Sequence, residues 1–313
     1  MYLNRRRSAR AEAVTVFLAA IGLLADAAHA ATACTGHGVE LQVLGSGGPE
    51  VQDKRASSSY LIWRDGKARV LVDAGGGSAL RFGESGARIE DLKFILLSHL
   101  HIDHTGDLPA LFMSSYFGER VSPLPLFGPI GNQEFPATTV FIADLFHPAR
   151  GAYRYLGGYL SGHDDGYRLQ PHDVRLAPHE IRTISGSEGI TISATTVIHG
   201  SVPALAWRVD LDNRSLVFSG DGNGDNGNLQ KLANGADLLL IHNSIPEGAD
   251  GPPRALHMPP SLIGAIADSA HAHQLLLSHR MLRTLGREQE TLSLIARSYS
   301  GPVTFANDLD CFR

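Results

Sequence analysis

Apolar residues fall along this chain in two patterns. Residues 39–44 and 190–198 alternate apolar with polar, the period of a strand with one buried face. Phe94-Ile95-Leu96-Leu97, Leu238-Leu239-Leu240-Ile241 and Leu275-Leu276-Leu277 are unbroken apolar runs. Such runs suit strands covered on both faces. Residues 57–63, 69–72, 204–209, 216–219 and 303–305 read as further strands. Helices are expected around Leu80 and Phe82, over 107–117 with Pro109 in the first turn, over 228–232, from Pro259-Pro260 to about Ala272, and over 287–299. Strands that alternate with helices make this an α/β chain.

Residues 118–176 are the least regular part and carry many aromatics. They read either as a lid or pocket insertion beside the site or as a helical insertion with its own small core. No other linker or repeat interrupts residues 31–313, which read as one domain.

The predicted strands share a second feature. Six of them end in histidine or aspartate: Asp73, His99, His199, Asp221, His242 and His279. Each alone is an ordinary turn residue, but six together imply convergence on one site. The densest stretch is Ser98-His99-Leu100-His101-Ile102-Asp103-His104, just after an apolar run. Imidazole and carboxylate are the usual ligands of zinc and similar ions. His99 and His101 are two apart and His104 three further on, so one loop can serve two adjacent ions. Asp73 is placed to orient a ligand histidine from behind. His147, His163, His172 and His179 lack paired spacing and are expected to be bystanders.

Composition narrows the setting. The chain has 313 residues, of which 43% are hydrophobic and 19% charged, enough for a full core. Arg5-Arg6-Arg7, a short apolar core over 14–24 and Ala28-His29-Ala30 resemble a signal peptide over 1–30, so a periplasmic or secreted location is expected. The apolar core is too short for a stable membrane anchor. The net charge is −5 and grows more negative once the leader is removed. An acidic, exported chain argues against a nucleic-acid partner and for a small-molecule substrate. The two cysteines, Cys34 and Cys311, are expected to form a disulfide in an oxidising compartment, with two buried thiols as the alternative. Nothing in the sequence sets the oligomeric state.

The motif His99-x-His101-x-Asp103-His104, followed by His199, Asp221 and His279 after later strands, resembles the metallo-β-lactamase superfamily. Gly45-Ser-Gly-Gly-Pro49 with Arg55 and Ser57-Ser58-Ser59, the segment His199 to Trp207, Ser219-Gly-Asp221 and His257-Met258 are similar to the ribonuclease Z and arylsulfatase-like branch. The resemblance implies a four-layer αββα sandwich with two divalent ions, zinc first and manganese or iron as alternatives. His99, His101 and His199 would hold one ion, and Asp103, His104 and His279 the other. Asp221 would bridge them, with Asp73 and His242 in support and His257 as general acid. Asn243 departs from the branch, which carries glutamate there. The 21 residues between His199 and Asp221 leave no room for the long basic arm of transfer-RNA-processing members.

These features lead to an exported metal-dependent hydrolase. A hydroxide shared by two ions would attack a phosphodiester or sulfate ester, with Asp103, Asp221 and His257 as the catalytic set. The alternatives are a lactone or β-lactam hydrolase, for which Arg280 is a candidate carboxylate anchor, and a non-hydrolytic metal or redox protein.

Overall fold

The unbroken apolar runs become strands whose side chains alternate between two cores. Phe94 and Leu96 point into one core, and Ile95 and Leu97 into another. Leu238 and Leu240 share the first core, while Leu239 and Ile241 enter a third. In the computed structural model, Cys34, residues 36–162 and residues 166–313 are described. The expected leader, residues 1–30, and His163 lie outside the described residues.

The first six strands are β1 (Val39–Gly45), β2 (Ser59–Arg64), β3 (Lys67–Val72), β4 (Phe94–Leu96), β5 (Leu124–Pro129) and β6 (Leu169–Val174). The next seven are β7 (Ile181–Ser187), β8 (Ile190–His199), β9 (Val202–Leu211), β10 (Arg214–Phe218), β11 (Leu238–His242), β12 (Leu275–Ser278) and β13 (Val303–Phe305). A last short strand, β14 (Cys311–Phe312), returns to the first sheet. One seven-stranded sheet runs β14-β1-β2-β3-β4-β5-β6, and the other runs β13-β12-β11-β10-β9-β8-β7.

The sheets face each other across a shared core that contains Tyr60, Trp207 and Phe218. The helices Ser78–Glu84, Leu108–Ser115 and Thr138–Phe146 supply Phe82, Leu111, Phe112 and Ile142 to the outer face of the first sheet. The helices Asn228–Leu232, Pro260–Ser269 and Glu288–Ile295 supply Leu229, Ile263 and Ile295 to the outer face of the second. The result is the four-layer αββα sandwich.

Strand direction explains why the histidines meet. In the second sheet β8, β9 and β10 are antiparallel in turn, and β10, β11 and β12 are parallel. So β8, β10, β11 and β12 all point the same way, and His199, Asp221, His242 and His279 gather on one edge. In the first sheet β1 runs with β3, and β3 with β4, which brings the loop after Gly45, Asp73 and His99 to one edge as well. Bonds between the sheets sew them together there, among them Leu205 N to Ser98 O at 2.8 Å and Trp207 Nε1 to Leu97 O at 3.1 Å.

Residues 118–176 need a different description from an insertion. They contribute β5, β6 and the helix Thr138–Phe146, and Phe146, Tyr159 and Tyr167 fill the outer core of the first sheet. The sequence hides this because β5 contains Pro125, Gly128 and Pro129, which read as turn residues, and β6 is an edge strand broken by Pro171. The loop around Asn132 reaches the turn after His199, where Asn132 Nδ2 donates to Ser201 O at 2.7 Å. Cys34 and Cys311 are joined in a disulfide with Cα atoms 5.2 Å apart. This resolves the two readings of the cysteines and ties β14 to the start of the described chain.

Candidate metal centre

The loop after β4 is held in place before any ligand is considered. Asp73 follows β3 directly with φ 57°, a left-handed conformation that aims its carboxylate across the neighbouring strand end. Its Oδ1 accepts from Ser98 N at 2.7 Å, and its Oδ2 from Ser98 Oγ at 2.8 Å. The same Oδ2 lies 2.8 Å from His104 Nδ1. A carboxylate only accepts, so Nδ1 carries the proton and His104 Nε2 turns inward. The motif lies close against the glycine run: a Cβ on Gly75 would sit 2.1 Å from Asp103 O.

The later histidines are oriented by the same device. His199 Nδ1 is 3.1 Å from Leu256 O, and His279 Nδ1 is 2.9 Å from Ser244 Oγ. Both present Nε2 to the interior. His279 also adopts a left-handed backbone, φ 50°, and Gly48 is pressed against its ring, where a Cβ would lie 2.7 Å from Cε1.

Two groups of candidate ligands stand out among the described residues, and a third, His199, Asp221 and His257, overlaps both. His99, His101 and His199 form one; His104, Asp221, His242 and His279 form the other, with ligand atoms in each within 4.8 Å of one another. Asp103 joins the second, its Oδ2 3.2 Å from His279 Nε2 and 3.6 Å from His104 Nε2. Asp221 faces both. Its Oδ2 lies 3.8 Å from His99 Nε2 and 3.6 Å from His104 Nε2 and His199 Nε2, and its Oδ1 lies 3.4 Å from His279 Nε2.

The electrostatics call for a cation. Burial alone would raise the Asp221 carboxyl, but His279, His257, the nearby His104 ring and the hydrogen bond from His242 reverse this and hold it well below the usual range. Burial pulls the His104 ring down, yet Asp73 and Asp103 outweigh it and raise it well above its ordinary value. Burial and the neighbouring His104 push His99 well below. His99 Nε2 and His104 Nε2 are buried without a hydrogen-bond partner. Orphaned imidazole nitrogens around an ionised carboxylate fit a divalent ion, and the all-imidazole and carboxylate donor set suits zinc-like metals.

His242 and His257 occupy different places. His242 Nδ1 is 2.7 Å from Asp221 Oδ1 and its Nε2 is 3.0 Å from the Tyr60 hydroxyl, so both nitrogens are engaged. Burial pushes this ring down to about 4. His257 Nδ1 lies 3.8 Å from Asp221 Oδ1 with no hydrogen-bond partner, and burial pushes the ring down to about 3. A neutral resting ring is not a ready general acid, so that expected role needs a proton gained during the reaction.

The structure thus brings together every sequence-named site residue: Asp73, His99, His101, Asp103, His104, His199, Asp221, His242, His257 and His279. Of the expected bystanders, His172 stacks on Phe127 and His179 bonds Asn228. Arg280 is not a free anchor for a substrate carboxylate; it is buried, paired with Glu288 and stacked 4.7 Å over Phe305. Arg55 bonds Ser46 and Asn307, fastening the Gly45–Pro49 loop to the C-terminal segment. Sequence reasoning missed Tyr60, Ser98 and Ser244. Ser98 and Ser244 each adjoin a predicted strand end, but Tyr60 sits inside an apolar strand and looks like any core aromatic.

A fold of two facing mixed sheets with this histidine edge defines a class. The profile of the Beta-lactamase superfamily domain matches residues 68–280, and the chain belongs to that superfamily as a metal-dependent hydrolase. The likeness extends to particular relatives. A ribonuclease Z of Mycobacterium avium (strain 104) is 31% identical over 291 residues, 87% of this chain and 96% of that protein. Among solved structures, the metallo-β-lactamase fold protein YhfI from Bacillus subtilis superposes with a TM-score of 0.67 at 22% identity, covering 88% of this chain and 99% of its own. Human tRNase Z, short form, gives 0.65 at 21% identity, covering 88% and 98%.

The ribonuclease relatives overturn the expectation that no nucleic acid is involved. That expectation rested on the export reading, the missing arm and the net charge; net charge sums over the whole surface and says nothing of the local field at one edge.

Proposed function

We propose that this chain is an exported metal-dependent phosphodiesterase that acts on RNA. The observation that carries this reading is the likeness to ribonuclease Z along 96% of that relative's length. In this reading His99, His101 and His199 would hold one zinc ion and Asp103, His104 and His279 a second, with Asp221 available to both. When bound, such ions supply Lewis acidity towards a phosphoryl oxygen and a nucleophile at neutral pH.

The chain's own residues do the rest. Asp73, Leu256 O and Ser244 fix three imidazoles with Nε2 inward. His257 starts neutral, accepts a proton as the phosphodiester reacts, and passes it to the leaving oxygen. Between β9 and β10 only Asp212 and Asn213 intervene, so RNA is gripped by the loops around the site rather than by an arm at this point. The Cys34–Cys311 disulfide supports an oxidising compartment.

The test uses metal-loaded mature protein, with a chelated control. Its panel is a 3′-extended structured RNA, a single-stranded RNA, an aryl phosphodiester, an aryl sulfate, a lactone and a β-lactam. Chelator-sensitive cleavage of RNA and the aryl phosphodiester is expected. Turnover confined to the sulfate, lactone or β-lactam would contradict the reading. Export is checked by the N-terminus of the natural protein: a chain beginning near Ala31 outside the cytoplasm is expected, and a retained chain beginning at Met1 would refute it.

A further inference from the structure

We infer that Tyr60 is a positioning residue for the metal centre, acting through His242 on Asp221. The inference rests on the metal reading above. Tyr60 is 1% exposed and lies in the middle of the inter-sheet core, on a strand of the first sheet. Its hydroxyl crosses to the second sheet, 3.0 Å from His242 Nε2 and 3.1 Å from Ser278 Oγ. His242 Nδ1 lies 2.7 Å from Asp221 Oδ1. The line therefore runs Tyr60, His242, Asp221, without a gap.

The direction of the protons follows from the acceptor at the end. The Asp221 carboxylate accepts, so His242 Nδ1 carries the hydrogen. Nε2 of the neutral ring is then a lone pair, which the Tyr60 hydroxyl fills. The same hydroxyl has Ser278 Oγ, on the adjacent strand end, as a second acceptor at 3.1 Å, so its proton is shared between the two. This tautomer leaves His242 no nitrogen for a metal, although it stands among His104, Asp221 and His279. Its work is to fix Asp221 Oδ1 so that the carboxylate spans the two ligand groups. Outer partners of this kind typically change metal affinity by about 10- to 100-fold. A core phenylalanine at position 60 would pack as well and bond nothing, so packing alone gives no reason for the hydroxyl.

The test is metal affinity, read by chelator competition as zinc is returned to metal-free protein. Tyr60→Phe removes one oxygen and keeps the ring. Tyr159→Phe, which removes another buried hydroxyl in the outer core of the first sheet, is the control. Expected are a weakening of about 10-fold or more for Tyr60→Phe and none for Tyr159→Phe. In a His242→Ala background the same Tyr60→Phe change should have no further effect, because the relay is already broken. Wild-type affinity in Tyr60→Phe, or an undiminished effect in the His242→Ala background, would overturn the inference while leaving the metal reading intact. Wild-type protein that takes up no metal would overturn both.

Discussion

The two ligand groups are built differently, although they share Asp221. The His99, His101 and His199 group has one half-exposed ring, His101, and is steadied by a hydroxyl and a carbonyl. The group of His104, Asp103 and His279 is buried and backed by charge, from Asp73 behind His104 and from Asp103 and Asp221 in front. Charged partners are stronger and hold geometry more firmly than neutral ones. On the two-ion reading proposed above, the difference predicts an accessible position that would exchange its ion and a closed one that would retain it.

The comparison breaks outright if Asp221 is not shared. Asp221→Ala should release metal from both groups and reduce hydrolysis to background; metal analysis showing full occupancy would contradict the bridging role. His257→Ala should leave both ions in place and lower kcat by about 100- to 10,000-fold, the range for a proton-transfer group. The sign of its pH dependence follows from the depressed ring: at about 3 in the free enzyme, His257 is already neutral above pH 5. Its titration therefore produces no fall in kcat/KM as pH rises from 6 to 8. A fall through that window that disappears in His257→Ala would contradict the neutral resting state.

Smaller changes sharpen the contrast. Asp73→Asn keeps the shape but weakens the charge behind His104, and should cost about 10- to 100-fold in affinity at the buried position only. Equal weakening at both positions, measured by stepwise metal titration, would show that the two groups are not separable. At the far end of the range, Cys34→Ser should lower unfolding stability by about 2–4 kcal/mol, seen in denaturant melts, with metal content unchanged. Metal loss in that variant would mean that the disulfide end and the histidine edge are coupled.

Much of this was legible in the sequence because the fold writes its site at strand ends. His99 to His104, His199, Asp221 and His279 each follow an apolar run, and parallel strand directions turn that sequence rule into a meeting point. Asp73 was legible for the same reason. Tyr60 was not, since a strand residue that reaches across a core leaves no mark distinct from packing. Nor were β5 and β6, whose prolines hide strands that parallel pairing rescues. The partner was misread because net charge averages over a surface, whereas phosphodiester chemistry needs a field only at one edge.

The central claim is best tested by titrating metal-free mature protein with zinc while following hydrolysis of an aryl phosphodiester. Activity should rise to a plateau at two ions per chain and vanish on chelation. A plateau at one ion, or turnover indifferent to metal, would contradict the account.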